Sequence, residues 1–401
     1  GSFGLIMSQE TFDSLPEDIR KALDEQVFGE RLSRMAGQIW DQADAEGRRV
    51  TEEAADNAFN AVSADDVAAF STIAENIRAS VLAEIISKKP APNAFDDSST
   101  AEDVTEGIDL SGMSFAITGC NSGLGFETMR VLTLRGAHVI GIARTQAKAD
   151  TACAAIDGET TPMFLDLADW GSVVTCAEKI RALNIPLDGL INNAGIMALP
   201  ELELTNGVER QFAVNHLGHF ILINQLQAPV LAAPQGRFVL LSSMAHRQAD
   251  NGIEFDNLDG SKSYSPWNAY GQSKLANALC SLELAKRIEH TNATSNSIHP
   301  GVINTNLGKH LPWYMQWGGK YLGWIFMKDI PEGAATTCYV ATSPDLVGVR
   351  GYYFADCNVK YSGADKTSPY LYDAEMASKL WAVSEELTGD YLLPWTLDTE
   401  A

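Results

Sequence analysis

Basic residues are scarce in this chain of 401 residues: 29 lysines and arginines stand against 52 aspartates and glutamates, for a formal net charge of −23. Such an acidic excess repels nucleic acids and anionic membrane surfaces, so we expect neither as a partner. Long apolar runs are also missing. No stretch reaches the roughly 18 apolar residues that a membrane-spanning helix needs, and the sequence therefore predicts no transmembrane segment.

Cysteine and histidine are few and scattered. The six cysteines show no close pairing, and the seven histidines form no ligand pattern. The sequence therefore predicts a reducing, cytoplasmic environment, without a disulfide framework or a structural metal. Gly1-Ser2 has the composition of an expression-tag remnant, which leaves a removed signal peptide as the alternative.

A glycine-rich turn follows the first strand-like run of the central part of the chain. Ser114 to Thr118 is apolar, and a helical pattern opens at Leu124. Strand, tight turn and helix in this order bring the positive end of a helix against a pyrophosphate. Ordinary loop chemistry is the alternative for a glycine pattern taken alone. The predicted dinucleotide contacts in this turn are Gly119, Asn121, Ser122, Gly123, Leu124 and Gly125.

Polar residues follow further strand-like runs. Asp166 and Leu167 follow a run that begins at Met163, and Asn193-Ala194-Gly195 follow a buried run that begins at Gly189. Ligands bind at the carboxyl edge of open parallel sheets. We therefore predict Asp166, Leu167, Asn193, Ala194 and Gly195 as further cofactor contacts.

Tyr270 and Lys274 are four residues apart in a helical pattern, so their side chains share one face of a helix. A lysine ammonium beside a tyrosine favours the phenolate, and we expect Lys274 to lower the pKa of Tyr270 toward neutrality. Ser243 ends another strand-like run, where its hydroxyl could hold a substrate oxygen. The alternative is a packed aromatic residue beside a solvated charge.

These motifs, in this order, resemble the short-chain dehydrogenase/reductase family over roughly residues 110 to 390. The resemblance implies a doubly wound α/β fold with a parallel sheet of order 3-2-1-4-5-6-7. It also implies a catalytic set of Asn215, Ser243, Tyr270 and Lys274, with Asn215 supporting a proton-relay water. Tyr270 and Lys274 would contact the nicotinamide ribose as well. Pro300, Gly301 and Thr305 resemble the family's loop beyond the sixth strand, and would also contact the cofactor.

The end of the second predicted strand bears on the choice of cofactor. The run His138 to Ala143 ends without the acidic residue that binds a ribose 2′-hydroxyl, and Arg144 follows. A cationic residue there favours a 2′-phosphate, so we predict NADP(H). A solvated charge at the strand end is the alternative.

The segment after Thr305 is rich in large apolar residues, among them Trp313, Trp317 and Trp324. The long stretch between Ser243 and Tyr270, with the motifs Asn215 to Phe220, Ser273 to Asn277 and Trp381 to Leu387, resembles the branch of retinol dehydrogenases and protochlorophyllide reductases. This resemblance implies a bulky lipophilic substrate, and the apolar segment agrees with it. We expect a lid over a pocket for a bulky, lipophilic carbonyl or alcohol. A subunit interface or a shallow membrane contact is the alternative.

The chain exceeds the usual length of one domain, and a segment rich in Pro, Ser and Asp lies between its parts. We predict a helical module over residues 1–86, a linker over 87–109 and a nucleotide-binding domain over 110–401. Residues 1–86 also resemble, more faintly, the C-terminal part of solute-binding proteins of tripartite ATP-independent periplasmic transporters. We expect this module to serve assembly, as part of a homo-oligomer.

The sequence as a whole predicts an NADP-dependent oxidoreductase that interconverts a carbonyl and an alcohol. A non-catalytic NADPH-binding sensor and an assembly protein are the alternatives. The sensor would not need the proton chemistry of Ser243, Tyr270 and Lys274.

Overall fold

A computed structural model describes residues 93–301, 328–361 and 367–396. The chain divides into two units, Gly1–Ser80 and Val81–Ala401, and all the described residues belong to the second. Thr305, the aromatic segment that follows it and the predicted module 1–86 lie outside the described residues.

An eight-stranded sheet forms the centre of the domain. The strands of the described residues are β1 Ser114–Thr118, β2 His138–Ala143, β3 Thr160–Phe164, β4 Gly189–Asn192, β5 Leu204–Thr205, β6 Val208–Glu209, β7 Arg237–Leu241, β8 Thr294–His299, β9 Tyr353–Ala355 and β10 Asn358–Val359. The order of the eight-stranded sheet is β10-β9-β8-β7-β4-β1-β2-β3, and every neighbouring pair is parallel except β9 and β10. Strands β5 and β6 pair as a small separate hairpin.

Helices connect the parallel strands. Helix α4 is composite: a turn at Arg210–Phe212 leads into a π-helical turn, Ala213–Leu217, and then into a regular part, Gly218–Gln225. The other helices are α1 Gly123–Leu134, α2 Gln146–Ala154, α3 Trp170–Ala182, α5 Gln227–Leu231, α6 Pro266–Arg287, α7 Ile330–Thr342 and α8 Ala374–Thr388.

Local sequence explains where several helices begin. The Thr145 hydroxyl accepts from the Lys148 N–H at the start of α2, and the Asp169 carboxylate accepts from two N–H groups at the start of α3. Asp373 caps α8 in the same way. These side chains satisfy N–H groups that have no partner within the helix. Pro266 and Pro331 lie in the first turns of α6 and α7, where a missing N–H costs nothing.

Two apolar layers cover the two faces of the sheet. One layer contains Trp170 of α3, Phe220 of α4, Leu275 of α6 and Trp381 of α8. The other is built from α1, α2 and α7. The strands between them are hydrophobic and mostly buried along their length, as expected for a parallel sheet with both faces covered.

The two edges of the sheet differ from its centre. At one edge, the antiparallel strand β10 contains only two residues. At the other edge, β3 contains Pro162 and ends at the exposed residue Phe164.

The predicted α/β class and the strand order are confirmed, with β7, β8 and β9 in the places of the fifth, sixth and seventh predicted strands. The additional strand β10 was not predicted. Strand β3 runs over Thr160–Phe164, so it begins three residues before Met163, where we placed its start. Pro162 had hidden that start, because proline cannot donate a hydrogen bond to a neighbouring strand and is depleted in strands away from a sheet edge.

The described part of the predicted linker packs against the domain. Ala101 and Val104 are buried, and the Ala101 N–H donates to the Pro331 carbonyl. Asn93 donates to the Tyr339 hydroxyl and to the Cys357 carbonyl. The composition of this segment predicted a linker, but the buried side chains of Ala101 and Val104 pack it against the domain.

Candidate active site

The glycine turn lies at the carboxyl end of β1, between β1 and α1. Gly119 and Gly123 have positive φ angles of +75° and +57°, a conformation that favours glycine. A Cβ on Gly125 would lie 2.3 Å from the Gly119 carbonyl oxygen. The turn therefore depends on glycine for its backbone path and for its close packing.

The start of α1 faces the turn with little side-chain cover. Asn121 and Ser122 are exposed, and Leu124 is half-buried. Ser122 precedes the helix in an extended conformation, and its hydroxyl makes no capping hydrogen bond. The first N–H groups of the helix are thus left for an anion, and the positive end of the helix dipole adds to the attraction. The turn fits a dinucleotide pyrophosphate.

Thr118 joins three elements beneath the turn. Its hydroxyl accepts from the N–H groups of Asn193 and Ala194, both at 2.9 Å, so it donates its own proton to Nε2 of His219 at 3.0 Å. His219 then donates from Nδ1 to the Asn215 carbonyl. Burial lowers the pKa of His219 to about 4. A neutral ring with one fixed tautomer therefore connects β1, β4 and α4.

The side chain of Asn193 supports the turn from below. Its Nδ2 donates to the Thr118 carbonyl at 2.7 Å and would lie 2.6 Å from a Cβ on Gly125. Gly195 separates two predicted catalytic side chains, because a Cβ there would lie 3.1 Å from Asn215 Oδ1 and 3.4 Å from Lys274 Nζ. Asn193 and Gly195, which follow β4, thus have a packing role in the site.

Arg144, Asp166 and Leu167 follow β2 and β3 at the same edge of the sheet. Arg144 is exposed, directly after β2. The Asp166 carboxylate accepts from the Ala168 N–H, which shapes the turn after β3. The side chain of Leu167 is buried in the core, so a contact between Leu167 and a cofactor would have to come from its backbone.

Ser243, Tyr270 and Lys274 meet at the carboxyl edge of β7. Tyr270 and Lys274 are each only 4% exposed. Lys274 Nζ lies 5.7 Å from the centre of the Tyr270 ring and donates to the Leu241 carbonyl at 3.1 Å. The Ser243 hydroxyl lies near the Tyr270 phenol, whose pKa it acts to lower, and it accepts from the Ala245 N–H. The predicted serine, tyrosine and lysine are therefore neighbours.

Burial dominates the electrostatics of this group. It raises the pKa of Tyr270 to about 12, against the opposing effect of the nearby Ser243 hydroxyl. It also lowers the pKa of Lys274 to about 8. Our expectation that Lys274 lowers the pKa of Tyr270 is wrong for this structure, because loss of hydration outweighs any attraction between the two groups.

Asn215 lies in the π-helical turn of α4. Such turns are rare in proteins, and those that occur are often found at functional sites. Its Oδ1 accepts from the Ile196 N–H at 2.8 Å, and its Nδ2 donates to the Ile196 carbonyl and to Ser273 Oγ. Ser273 donates in turn to the Tyr270 carbonyl. Asn215 is therefore connected to the backbone of the tyrosine helix as well as to the loop after β4.

The loop after β8 begins at this edge too. Pro300 and Gly301 are half-buried, and Gly301 has a φ of +98°. A Cβ on Gly301 would lie 2.6 Å from the side chain of Lys328.

Several residues of the site were missed by the sequence analysis. Thr118, His219 and Asn277 hold the backbone of the site: Asn277 donates to the Leu241 carbonyl, which also accepts from Lys274. Thr118 directly precedes the glycine turn, and His219 lies four residues after Asn215. These spacings could have indicated Thr118 and His219, since residues four apart in a helix are neighbours.

Comparison with known proteins agrees with this geometry. The family model described as short chain dehydrogenase matches residues 114–313. "Short-chain dehydrogenase TIC 32 B, chloroplastic" of Brassica napus is 42% identical over 316 residues, which cover 76% of this chain and 97% of the relative. The chain belongs to the short-chain dehydrogenase family. The predicted family is therefore confirmed.

Two further proteins are similar to this chain. Human "Retinol dehydrogenase 14" is 38% identical over 300 residues, covering 70% of this chain and 87% of the relative. A crystal structure of an uncharacterized protein from Mycobacterium Paratuberculosis has a TM-score of 0.57 and 34% identity, and the match covers 71% of this chain and 97% of that one. The comparisons do not support the resemblance of residues 1–86 to periplasmic solute-binding proteins.

Two features are absent from residues 93–301, 328–361 and 367–396. None of the helices described there is both long and apolar enough to cross a membrane. The same residues contain no group of three or more metal-ligating side chains.

Proposed function

We propose that this short-chain dehydrogenase transfers a hydride between NADP(H) and a carbonyl or alcohol substrate. The observation that carries the proposal is the meeting of Ser243, Tyr270 and Lys274 at the edge of the sheet where the glycine turn forms a cradle for a dinucleotide. The nicotinamide would supply the hydride, and the protein would supply the proton and the binding geometry.

Tyr270 would be the proton donor in the reduction of a carbonyl. With a pKa near 12 the phenol keeps its proton at neutral pH. The Ser243 hydroxyl, near the Tyr270 phenol, would orient the substrate oxygen beside it. Charge develops on that oxygen during reduction, and both hydroxyls can donate to it. Lys274 would hold the ribose, and Asn215 would support a water that returns the proton.

The preference for NADP(H) is supported by Arg144, which is exposed directly after β2, where the adenosine ribose lies in this type of fold. A carboxylate at this position would repel a phosphate, and Arg144→Asp should therefore shift the ratio of kcat/KM toward NADH. Lys179→Asp, on the exposed last turn of α3, is the matched control. An unchanged ratio in Arg144→Asp would mean that Arg144 does not contact the 2′-phosphate.

A lipophilic substrate is supported by the similarity to retinol dehydrogenase 14 and by the large apolar residues of segment 302–327. The experiment is a screen of ketones, aldehydes, steroids and retinoids with NADPH and NADH, in which the absorbance of the reduced nicotinamide is followed. A sensor would bind NADPH without consuming it under any of these conditions.

A cytoplasmic location and a homo-oligomer stay part of the proposal, and the six buried, unpaired cysteines favour a reducing compartment.

A further inference from the structure

A short turn carries the Ser243 hydroxyl, and we refer to residues 243–248 as the serine turn. It consists of Ser243 and the 3-10 helix Met244–Gln248 that Ser243 caps. The turn packs directly against α6, because a Cβ on Gly271 would lie 2.6 Å from the Ala245 carbonyl oxygen. Gly271 follows Tyr270 in the chain. Any shift of the serine turn would therefore change the distance between Ser243 and Tyr270.

His246 closes the serine turn from inside. Its backbone N–H donates to the Ser243 carbonyl at 3.0 Å, and its ring Nδ1 lies 2.5 Å from the same oxygen. Because a carbonyl can only accept, Nδ1 carries the proton. The ring is 1% exposed and meets the ring of Tyr353 edge to face at 5.0 Å.

The other nitrogen of His246 contacts a distant segment. The N–H of Ser368 donates to Nε2 at 3.1 Å, and the two residues are 122 positions apart in the chain. We call residues 367–372 the clamp segment. Leu371 fixes it to the domain by packing with Ala278 of α6 and with Tyr353 and Ala355 of β9. One imidazole thus joins the serine turn to the C-terminal part of the chain.

We propose that His246 is a positioning residue, which fixes the place of Ser243 through Nδ1 and ties the serine turn to the clamp segment through Nε2. The proposal rests on the proposed function, since Ser243 matters only if it orients a reacting oxygen. It assigns the two ring nitrogens separate tasks, and only the neutral Nδ1–H tautomer performs both. No other neutral side chain offers a donor and an acceptor on opposite sides of a small rigid ring.

Two substitutions separate these tasks. In His246→Asn the side-chain amide can donate from about the position of Nδ1, but nothing reaches Ser368. In His246→Gln the longer side chain can place an acceptor near Nε2, but the donor to Ser243 is lost. His138 is the matched control, since its half-buried ring bonds to Thr161 Oγ1 near the amino ends of β2 and β3.

The first measurement is steady-state kinetics with NADPH affinity determined in parallel. We expect His246→Gln to lower kcat about tenfold, the effect of one hydrogen bond, with an unchanged Kd for NADPH. His246→Asn keeps the donor to Ser243, so kcat should stay within about threefold of wild type. His138→Gln and His138→Asn should leave both constants unchanged. Wild-type kcat in His246→Gln would overturn the positioning of Ser243.

The second measurement is amide hydrogen exchange, which needs no substrate. The amide of Ser368 should exchange faster in His246→Asn, and stay protected in His246→Gln. Equal protection in wild type and His246→Asn would overturn the tie to the clamp segment. If wild-type protein reduces no carbonyl at all, the proposed function fails, and the exchange result still tests the tie. If wild type is active and the two variants match it, only the present inference fails.

Discussion

Burial favours the neutral forms of both Tyr270 and Lys274. It raises the pKa of the phenol to about 12 and lowers that of the ammonium to about 8. Tyr270 therefore keeps a proton to donate, while Lys274 is easily discharged above neutral pH. A bound dinucleotide, which brings negative phosphates to this edge, would favour the charged form of Lys274 again.

Tyr270→Phe tests the proton donor. The phenyl ring keeps the packing, and the pyrophosphate cradle lies on another element, so we expect kcat to fall at least about a thousandfold and the Kd for NADPH to change little. Stopped-flow or steady-state absorbance gives kcat, and quenching of protein fluorescence gives Kd. Tyr264→Phe, whose hydroxyl donates to the Leu199 carbonyl, is the control. Residual activity above roughly a tenth of wild type would show that another group donates the proton.

Lys274→Met tests the cost of burying an ammonium. The pKa of Lys274 falls from 10.5 to about 8 on folding, so the unfolded chain binds more protons between these values and stability rises with pH across this window. Below pH 8, burial of the charge costs about 3 kcal/mol. The variant should be more stable than wild type at pH 7, and the difference should vanish near pH 10.5.

The measurement is the midpoint of chemical unfolding of both proteins across this range of pH. The Leu241 carbonyl keeps its hydrogen bond from Asn277 in the variant, so no acceptor is left without a partner. Lys286→Met, at an exposed position of the same helix, should follow wild type at every pH. Parallel profiles of Lys274→Met and wild type would contradict the prediction.

At the scale of elements, the glycine turn is the most tightly specified part of the domain. Gly125→Ala would place a methyl group 2.3 Å from the Gly119 carbonyl oxygen and 2.6 Å from Asn193 Nδ2. The turn must move to accept it, so we expect at least about tenfold weaker NADPH binding and a loss of about 1–3 kcal/mol in stability. Titration calorimetry and thermal unfolding measure the two effects.

Gly389→Ala is the control for this substitution. A Cβ at Gly389, just after α8, would meet nothing within 4 Å, and the variant should match wild type. If Gly125→Ala binds NADPH with wild-type affinity, the turn is not the phosphate cradle.

The elements also show what could be predicted from the sequence. Apolar runs and the polar residues that follow them gave most of the strands and the edge of the sheet where Ser243 lies. The resemblance to the short-chain dehydrogenase/reductase family gave the strand order and the grouping of Ser243 with Tyr270. The pKa of Tyr270 could not be predicted, because burial of a single hydroxyl depends on the packing of every neighbouring element. The contact between His246 and Ser368 was also invisible, since 122 residues separate the two and neither belongs to a periodic pattern.

At the scale of the whole molecule, the boundary before the domain can be tested by truncation. Removal of residues 1–92 leaves the docked segment intact, and we expect catalytic activity to persist. Removal of residues 1–105 also deletes Asn93, Ala101 and Val104, which are bonded to or buried against the domain. The second truncation should therefore lower Tm by several degrees more than the first.

Differential scanning fluorimetry and specific activity distinguish the two truncations. Complete loss of activity in a folded, NADPH-binding protein that lacks residues 1–92 would place part of the substrate site in the N-terminal module. Equal Tm values for the two truncations would mean that the docked segment adds nothing to stability.

The edges of the sheet bear on aggregation. An open edge strand exposes a row of N–H and C=O groups that another chain can pair with, and long flat edges are sites of amyloid-like growth. Here β10 offers only two residues, and Pro162 removes a donor from the middle of β3. Within the described residues, both ends of the sheet thus discourage strand addition, and copies of this chain would associate through helices or loops.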